Sequence, residues 1–554
     1  MTDQVHPHWG QIKDQYDSAY IYDIQAAKQQ AIFSPCVSDA LHANVAETVD
    51  KLCALGECSV EADWDNNPNY ITLSMLKSVI EHMSFPCSLP TLCNPLAIHG
   101  CINLMQSITR FGRPSPFSYE YGYLCFRILV VAYDYCVLLC SERHESWIDE
   151  VEQPQNYLLQ EGHIPILSRT VSEVIVDCMN GGTPIYNKFF TWSPWTDNYR
   201  GPLITTHYIL LLAKILDDDR KHFLIFMRSN YSLRLSALLY TMCEFMHKMP
   251  PQSEEHPFLH MFTRIYPRAL LLVPDYPFGL NSTHFYIMQL AREYKSTSQV
   301  FDAEDSQLFF RAYVDRLTIL SGTALHSRAS TTLALNLLQG AQPLIRDGFE
   351  DVLPSVIRAT IHCMWEDLVA EEPVTAELVY RCMQLVHAIS HWFDFLKERT
   401  KTAGHKFIQA MDIVIEEELV NFVMRMLLET CPNDGKSSGQ ALAAPLVSAV
   451  TKIFLVFQTV VPSAFLKQRF RQSIFSWVTF LVNFHNTVPA TSHQPHWIGC
   501  LDFLSKIVMI LGGNQDTFGG RCENPRCPVP MKVTYARSGL VYCSPECYAR
   551  QVFN

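Results

Sequence analysis

"HKFIQAMDIVIEEELVNFVMRMLLET", residues 405–430, has the clearest helical pattern of apolar residues. Its apolar residues recur at steps of three and four, which places them on one face of an α-helix. Polar side chains such as Asp412 and Arg425 fall between them. The stretch therefore predicts helix with one buried face, formed by Phe407, Ile408, Met411, Val414, Ile415, Leu419, Phe422, Val423, Met426 and Leu427.

The same spacing recurs along most of the chain. There are about sixteen such segments, mostly of about 12–25 residues, and no convincing alternating strand before the C-terminal tail. The sequence therefore predicts an all-α body. Clear examples of these segments are residues 73–83, 231–249, 376–399 and 464–484.

Turn-forming residues separate the helical segments, with the clearest clusters at 249–257, 431–440 and 486–496. Many helices with short connections are typical of a bundle or an α-solenoid. A repeat of fixed period is not apparent in the sequence. We therefore expect an irregular multi-helix array of the armadillo- or HEAT-like kind, with two or three subdomains.

Composition limits the class of protein. The chain has 554 residues, of which 48% are apolar, and a formal net charge of −12. This length suits roughly three domains or one extended array, and the apolar content excludes a disordered chain. The negative charge gives no global field that attracts nucleic acid or anionic lipid.

Cysteines such as Cys243 and Cys363 lie in apolar helical patterns, which indicates buried free thiols in a reducing compartment.

The most apolar stretch, "FRILVVAYDYCVLLC" at residues 126–140, is interpreted as a buried helix. It contains Arg127 and Asp134 and is shorter than the roughly 20 residues that cross a bilayer. Residues 1–20 lack the basic and apolar segments of a secretory signal. We therefore expect a soluble intracellular protein of the cytoplasm or nucleus, without a membrane partner.

A short polar tail carries the sharpest chemical signal, "CENPRCPVPMKVTYARSGLVYCSPEC" at residues 522–547. Two close cysteine pairs separated by 15 residues are a strong zinc signature, because four thiolates suit a closed tetrahedral site. A tail of this size has too little core to fold alone, so metal binding would supply its folding energy. The predicted ligands of one zinc ion are Cys522, Cys527, Cys543 and Cys547.

The residues around these cysteines predict the elements of a treble-clef finger. Residues 522–527 can form a tight knuckle with an Asn-Pro turn. Residues 532–542 predict a hairpin that reverses at 537–539. Ser544 and Pro545 suit the N-cap and the first position of a short helix. Unrelated thiols or a disulfide pair are the alternative, which is disfavoured because nothing else indicates an oxidising compartment.

Glycines mark the boundary of the tail, with four of them in residues 512–520. This composition predicts a flexible joint. The predicted organisation is a helical body at 1–511, a glycine-rich joint at 512–520 and a zinc finger at 521–554.

The tail resembles the MYND-type zinc finger over about 33 residues. Tyr542, Cys543, Ser544 and Cys547 match that family's motif of tyrosine, cysteine and serine followed, after two further residues, by a cysteine. The resemblance implies that all four tail cysteines belong to the family's first zinc site. It also implies a protein-interaction module, of a kind that often binds short proline-containing peptides.

The family's second zinc site is not matched. Its first two ligand positions hold Thr534 and Arg537, and its closing histidine and cysteine would lie beyond Asn554. Tyr548 stands where the family has a glutamine. The resemblance is therefore to a MYND finger reduced to one site, with one zinc per chain.

These observations favour a non-catalytic adaptor or scaffold that binds proteins. A four-thiolate site leaves zinc no open position for catalysis. A dinucleotide loop, a nucleophile elbow and the kinase motifs are all absent from the sequence. The candidate contact residues of the finger are Tyr535, Arg537, Leu540 and Tyr548.

Three alternatives stay open. An enzyme site in the helical body would require a deep polar pocket with converging titratable groups. Nucleic-acid binding by residues 521–554 is a weaker alternative, based on five basic and two acidic residues, a net charge of about +3. The weakest is a second metal site in a looser cluster, formed by His82, Cys87, Cys93, His99 and Cys101.

Overall fold

The computed structural model describes most of residues 39–511 and short parts of both termini. Outside that range it describes residues 5–6, 8–12, 16, 535–537 and 540–542. Within it, the longer stretches that are not described are 58–69, 153–162, 180–192, 230–234, 249–256, 273–301, 319–328, 430–437 and 478–494.

The described body is overwhelmingly α-helical, which confirms the predicted fold class. The chain divides into two compact units. The finer prediction of an armadillo- or HEAT-like array stays a prediction. Unit 1 comprises Met1–Ala312, Ile319–Arg328 and Gln339–Ile345, and unit 2 comprises Tyr313–Thr318, Ala329–Leu338 and Arg346–Asn554.

The described helices of unit 1 are α1 (Asp39–Glu57), α2 (Leu73–His82), α3 (Pro95–Arg110), α4 (Glu120–Cys140), α5 (His144–Glu152), α6 (His163–Met179), α7 (Thr206–Asp218), α8 (Arg220–Ser229), α9 (Ser236–Lys248) and α10 (Pro257–Leu272). Short 3₁₀ helices cover Pro86–Leu92 and Pro116–Ser118. Two helices contain residues of both units, α11 (Ala303–Thr318) and α12 (Thr331–Ala341).

The described helices of unit 2 are α13 (Leu353–Ala370), α14 (Ala376–Glu398), α15 (Thr400–Glu416), α16 (Leu419–Glu429), α17 (Ser438–Val460), α18 (Ser463–Arg469) and α19 (Pro495–Ile510). A 3₁₀ helix covers Phe349–Asp351. Helix α17 begins inside the turn cluster predicted at 431–440, so that cluster is shorter than the sequence indicates.

Helix α4 is the core helix of unit 1. Every residue from Glu120 to Leu138 except Arg127 is buried. Helices α2, α3, α6 and α9 all contact it. A helix that is apolar on all sides is expected in the middle of a core, and the interpretation of residues 126–140 as a buried helix is confirmed.

The length of α4 differs from the sequence-based prediction. The helix has 21 residues, so it is longer than the apolar stretch and long enough to cross a bilayer. Within the protein, however, 83% of its most apolar window is buried. Its burial by other helices, and not its length, identifies it as a core helix.

Residues 405–430 form two helices instead of one. Helix α15 ends at Glu416 and α16 begins at Leu419. Between them Glu418 adopts a positive φ of 52°, which no helix interior allows. The prediction of one uninterrupted helical face is therefore wrong at Glu417 and Glu418. The acidic run places three negative charges at a helix C-terminus, where the helix dipole disfavours them.

Most of the predicted buried face is confirmed despite this break. Eight of its ten residues are buried, on α15 or on α16, while Ile408 and Ile415 are half-exposed. Ile413 is buried as well, although it lies outside the predicted face.

Two short antiparallel strands, β1 (Ser193–Thr196) and β2 (Tyr199–Gly201), lie in unit 1. The sequence has no convincing alternating strand before the tail, and it predicts no sheet of more than two strands in residues 60–512. This two-stranded pair is within that limit. The pairing is short and irregular, with a register shift between Pro194 and Thr196. An Asp-Asn pair connects the strands. Asp and Asn favour turns, so this dipeptide was the available signal.

Helices α1 and α3 approach so closely that only glycine fits at their contact. A Cβ atom at Gly100 would lie 2.1 Å from the carbonyl oxygen of Leu52. A Cβ atom at Gly56 would lie 2.1 Å from the carbonyl oxygen of Leu96. The two glycines thus let each helix backbone touch the other, beside the core helix α4.

Aromatic side chains fill the core of unit 2. The rings of Phe393 on α14 and Phe457 on α17 meet edge to face, with centroids 4.9 Å apart. Phe407 on α15 lies 5.8 Å from Phe393 and 5.9 Å from Phe457. Such pairs contribute about 0.5–1.5 kcal/mol beyond the area that they bury. These ring contacts hold α14 against α15 and α17, so the exposed face of α14 has a fixed position.

We expect Gly100→Ala to destabilise the protein strongly, because the new methyl group requires α1 and α3 to separate. The loss of unfolding free energy should be about 3 kcal/mol, and the Tm should fall by several degrees. The matched control is Gly404→Ala in α15, where a Cβ atom meets nothing within 4 Å. Differential scanning calorimetry should find that the control is neutral or slightly stabilising. Equal effects of the two substitutions would contradict the close contact.

Candidate metal centre

The tail contains the predicted hairpin. Strand β3 (Tyr535–Arg537) pairs antiparallel with β4 (Leu540–Tyr542). The register places Tyr535 opposite Tyr542 and Arg537 opposite Leu540. Two residues connect the strands, the second of them glycine, as is common in the tightest hairpins. The hairpin predicted for residues 532–542 is confirmed.

The hairpin lies between the two cysteine pairs in the sequence. Cys543 follows the last residue of β4 directly, and Cys527 precedes Tyr535 by eight residues. The four predicted ligands, Cys522, Cys527, Cys543 and Cys547, all lie outside the described residues. Their zinc coordination therefore stays a prediction.

The register determines which end of the hairpin is open. Antiparallel pairing of Tyr535 with Tyr542 places the first residue of β3 beside the last residue of β4. Tyr542 directly precedes Cys543 in the sequence.

Of the other tail residues named above, some lie within the described part of the chain and some lie outside it. Tyr535, Arg537 and Leu540 lie on the described strands. Tyr548 and Thr534 lie outside the described residues, as does the joint at 512–520. Arg537 occupies a second-site ligand position of the MYND family and is not a zinc ligand by its chemistry.

The looser cluster predicted in the body does not converge on one point. The Nε2 atom of His82 lies 3.2 Å from Nδ1 of His42, and the Sγ atom of Cys93 lies 3.6 Å from that of Cys136. His99 stacks on a tyrosine ring of α7, with centroids 4.1 Å apart. Burial lowers the pKa of His99 to about 3, so the ring is neutral. Each residue thus has a neighbour of its own.

The remaining two members of that cluster add no ligand to it. Cys101 is fully buried on α3, and burial raises the pKa of its thiol. The side chain of Cys87 lies outside the described residues. Within the described part of the chain, no three His, Cys, Asp or Glu side chains form a group that could hold a metal ion.

A buried charged network in unit 1 bears on the alternative of an enzyme. The Nη2 atom of Arg268 on α10 donates to Oδ1 of Asp305 at 2.6 Å. The Nε atom of Arg220 on α8 donates to the other oxygen at 2.8 Å. The side chain of Asp305 is fully buried and that of Arg268 is 1% exposed. Burial lowers the pKa of the Arg268 guanidinium, and the carboxylate of Asp305 opposes this shift.

A second pair continues the network. The guanidinium of Arg264 on α10 binds both carboxylate oxygens of Asp217 on α7 in a fork, with Nε to Oδ1 at 2.7 Å. The Nη1 atom of Arg268 donates to the backbone oxygen of Arg264 at 2.5 Å. Each carboxylate oxygen thus accepts from a guanidinium, so both carboxylates are paired. This arrangement ties α7, α8, α10 and α11 together, and both of its carboxylates are buried.

Asp134 is the buried carboxyl group of the core helix α4, and it is 2% exposed. Burial raises its pKa well above the usual range, and a hydrogen bond with the side chain of Ser168 opposes this shift only in part. Burial thus favours the neutral, protonated form of this carboxyl group, because an isolated charge is costly in an apolar core.

Sequence reasoning missed the charged network, and it treated Asp134 only as an argument against a bilayer span. The partners of the network are distant in sequence, and Arg220 and Asp305 are 85 positions apart. No local spacing signals such a pair. The sequence does show a buried aspartate within an apolar stretch, and this is a recognisable sign of a shifted pKa.

We expect Asp134→Asn to stabilise the protein at pH 7. In the unfolded chain this carboxyl ionises near pH 4, whereas in the folded protein it keeps its proton to higher pH. The folded state therefore holds more protons, and wild-type stability falls relative to the variant as the pH rises above about 4, by up to about 1.4 kcal/mol per pH unit until the folded pKa is reached.

Thermal unfolding between pH 5 and 8 would measure this effect. The Tm advantage of Asp134→Asn should shrink as the pH falls toward 5. Asp50→Asn, at an exposed position on α1, is the control and should show no such trend. A constant difference at every pH would show that Asp134 ionises alike in both states.

Comparison with known proteins identifies no relative, since neither any protein-family model nor any curated sequence gives a significant match to the chain. What the chain does must therefore be inferred from its own residues. The informative ones are the cysteine pairs and hairpin of the tail and the paired charges of the body.

Proposed function

We propose that the chain is a non-catalytic adaptor, in which a helical body carries a small zinc finger that docks onto protein partners. In this proposal one zinc ion is held by the four tail cysteines, Cys522, Cys527, Cys543 and Cys547. The finger presents its hairpin and the following residues to the partner.

One observation carries the proposal, namely the antiparallel pairing of Tyr535–Arg537 with Leu540–Tyr542. A hairpin that ends directly before Cys543 is the central element of a treble-clef finger. The spacing of the cysteine pairs is an independent signal of the same element. The two together favour zinc over unrelated thiols.

Four thiolates around zinc favour a structural over a catalytic role. A closed tetrahedral site has no position for a water molecule or a substrate. The metal then supplies folding energy to a segment that lacks a core of its own. The finger is therefore a rigid surface, and recognition is the function that such a surface can perform.

The chemistry of the partner follows from the resemblance to MYND fingers. These fingers bind proteins, often through short proline-containing peptides. Tyrosine and arginine are the residue types that most often dominate interface energetics, so Arg537 and Tyr548 are the leading candidate contacts. Tyr535 and Leu540 are further candidates that can equally cover the small core of the finger.

The helical body supports an adaptor more than an enzyme. Each buried acid of the charged network is paired with a guanidinium, and Asp134 is enclosed in the core. A general acid or base must reach a substrate, and these groups are enclosed between helices. The ten described cysteines, such as Cys243 and Cys363, are free thiols, which suits a reducing compartment such as the cytoplasm or nucleus.

We expect the purified, dialysed protein to retain one zinc per chain, measured by elemental analysis. Cys543→Ser should abolish this zinc, because three ligands leave the tetrahedron incomplete. The Tm of the helical body should not change, since the body has its own apolar core. Cys363→Ser, at a buried thiol of α13, is the control and should keep the zinc. Two retained zinc ions would contradict the single-site proposal.

We expect the finger to be needed for partner capture. Arg537→Ala and Tyr548→Ala should weaken binding to partners isolated by affinity purification, with zinc content unchanged at one per chain. Arg550→Ala is a matched control that also removes one positive charge from the tail, and it should have a smaller effect.

A truncated chain distinguishes a docking surface on the finger from one on the helical body. If a chain that ends at Gly513 binds the same partners equally well, the docking surface lies in the helical body and the proposed role of the finger is wrong. If nucleic acid displaces the partners and its binding weakens with salt, the tail is a nucleic-acid module instead.

A further inference from the structure

Two histidines lie one turn apart on the outer face of α14. The Nε2 atoms of His387 and His391 are 3.0 Å apart, and their ring centroids are 4.5 Å apart. Both side chains are exposed. The opposite face of the helix is buried, and Ile389 and Phe393 are fully enclosed there. A rigid helix thus holds two imidazole rings in contact.

The separation of the two nitrogens fits a shared metal ion. Zinc lies about 2.0–2.1 Å from histidine nitrogens in a tetrahedral site, so two such nitrogens are about 3.3–3.4 Å apart. The observed 3.0 Å differs from this by a few tenths of an ångström. Small rotations of exposed side chains are sufficient to close that difference. Imidazole is a good ligand for zinc, copper and nickel ions.

We propose that His387 and His391 form a surface site for a divalent transition-metal ion of the zinc class, with both Nε2 atoms as ligands and water completing the coordination. Each ring binds through Nε2 and carries its proton on Nδ1, so binding releases no proton from a neutral pair. This site is separate from the finger in residues 521–554, and it requires no cysteine.

A charged pair lies beside the two histidines. Lys452 on α17 forms an ion pair of 2.6 Å with Asp394, which lies one turn beyond His391. The carboxylate of Asp394 thus offsets the lysine charge that would otherwise repel a metal ion.

Two ligands hold a metal more weakly than four thiolates. The pair should therefore lose its ion on dialysis and bind it when free metal is supplied. One zinc per chain in the dialysed protein is compatible with this second, labile site. The two proposals are thus distinguishable, because one depends on cysteines and the other on histidines.

Histidine footprinting of the full-length protein tests the proposal. Diethyl pyrocarbonate modifies neutral imidazole nitrogens, and peptide mass spectrometry measures the rate at each histidine with and without added zinc chloride. At about ten times the dissociation constant, zinc should slow modification of His387 and His391 by about tenfold. His405, an exposed histidine on α15, is the internal reference and should be unaffected.

Variants identify the cause of the protection. In His391→Ala, zinc should no longer protect His387, and in His387→Ala it should no longer protect His391. His362→Ala, on α13, is the matched control and should retain protection of the pair. Both positions of the pair are exposed, so circular dichroism should find the fold unchanged. Cys543→Ser should also retain the protection, whatever happens to the finger.

Two results would overturn the inference. One is an equal rate of modification with and without zinc, up to millimolar metal, which leaves only a hydrogen bond between the two rings. The other is protection of His387 that persists in His391→Ala, which would mean that the rings do not bind one ion together.

Discussion

Burial of the core helix α4 on every side is the constraint on which unit 1 depends. A helix without a polar face must be surrounded, and α2, α3, α6 and α9 do this. The enclosure leaves little room, so α1 and α3 meet through Gly56 and Gly100. It also buries Asp134, and this burial raises the pKa of the carboxyl group well above its usual range. Dense packing and a shifted pKa thus have the same origin.

The sequence predicts those features that depend on neighbours along the chain. Helical periodicity identifies the all-α class because residues three and four apart share a face. The break at Glu417 and Glu418 escapes this reasoning, since the apolar spacing continues unchanged from α15 into α16. The pair formed by Arg220 and Asp305 escapes it as well, because its geometry exists only after distant helices have packed.

The two candidate metal sites differ in how far the local sequence predicts them. The hairpin of the tail joins residues three to seven positions apart in β-prone runs, so local sequence is sufficient to predict it. The histidines of α14 are also local, at the spacing of one helical turn. Their spacing alone does not indicate a site, because most exposed histidines four apart point separately into water. The 3.0 Å distance between their nitrogens is the added information.

Body and finger, as proposed, take their stability from different sources. The body buries apolar helices such as α4 and the phenylalanine cluster around Phe393, so chelators cannot unfold it. A finger without a core depends on zinc, because its unfolded cysteines bind the metal far more weakly than the folded site does. We expect the glycine-rich composition of residues 512–520 to keep the two equilibria independent. The proposal therefore implies that removal of zinc would abolish docking while the helical body stays folded.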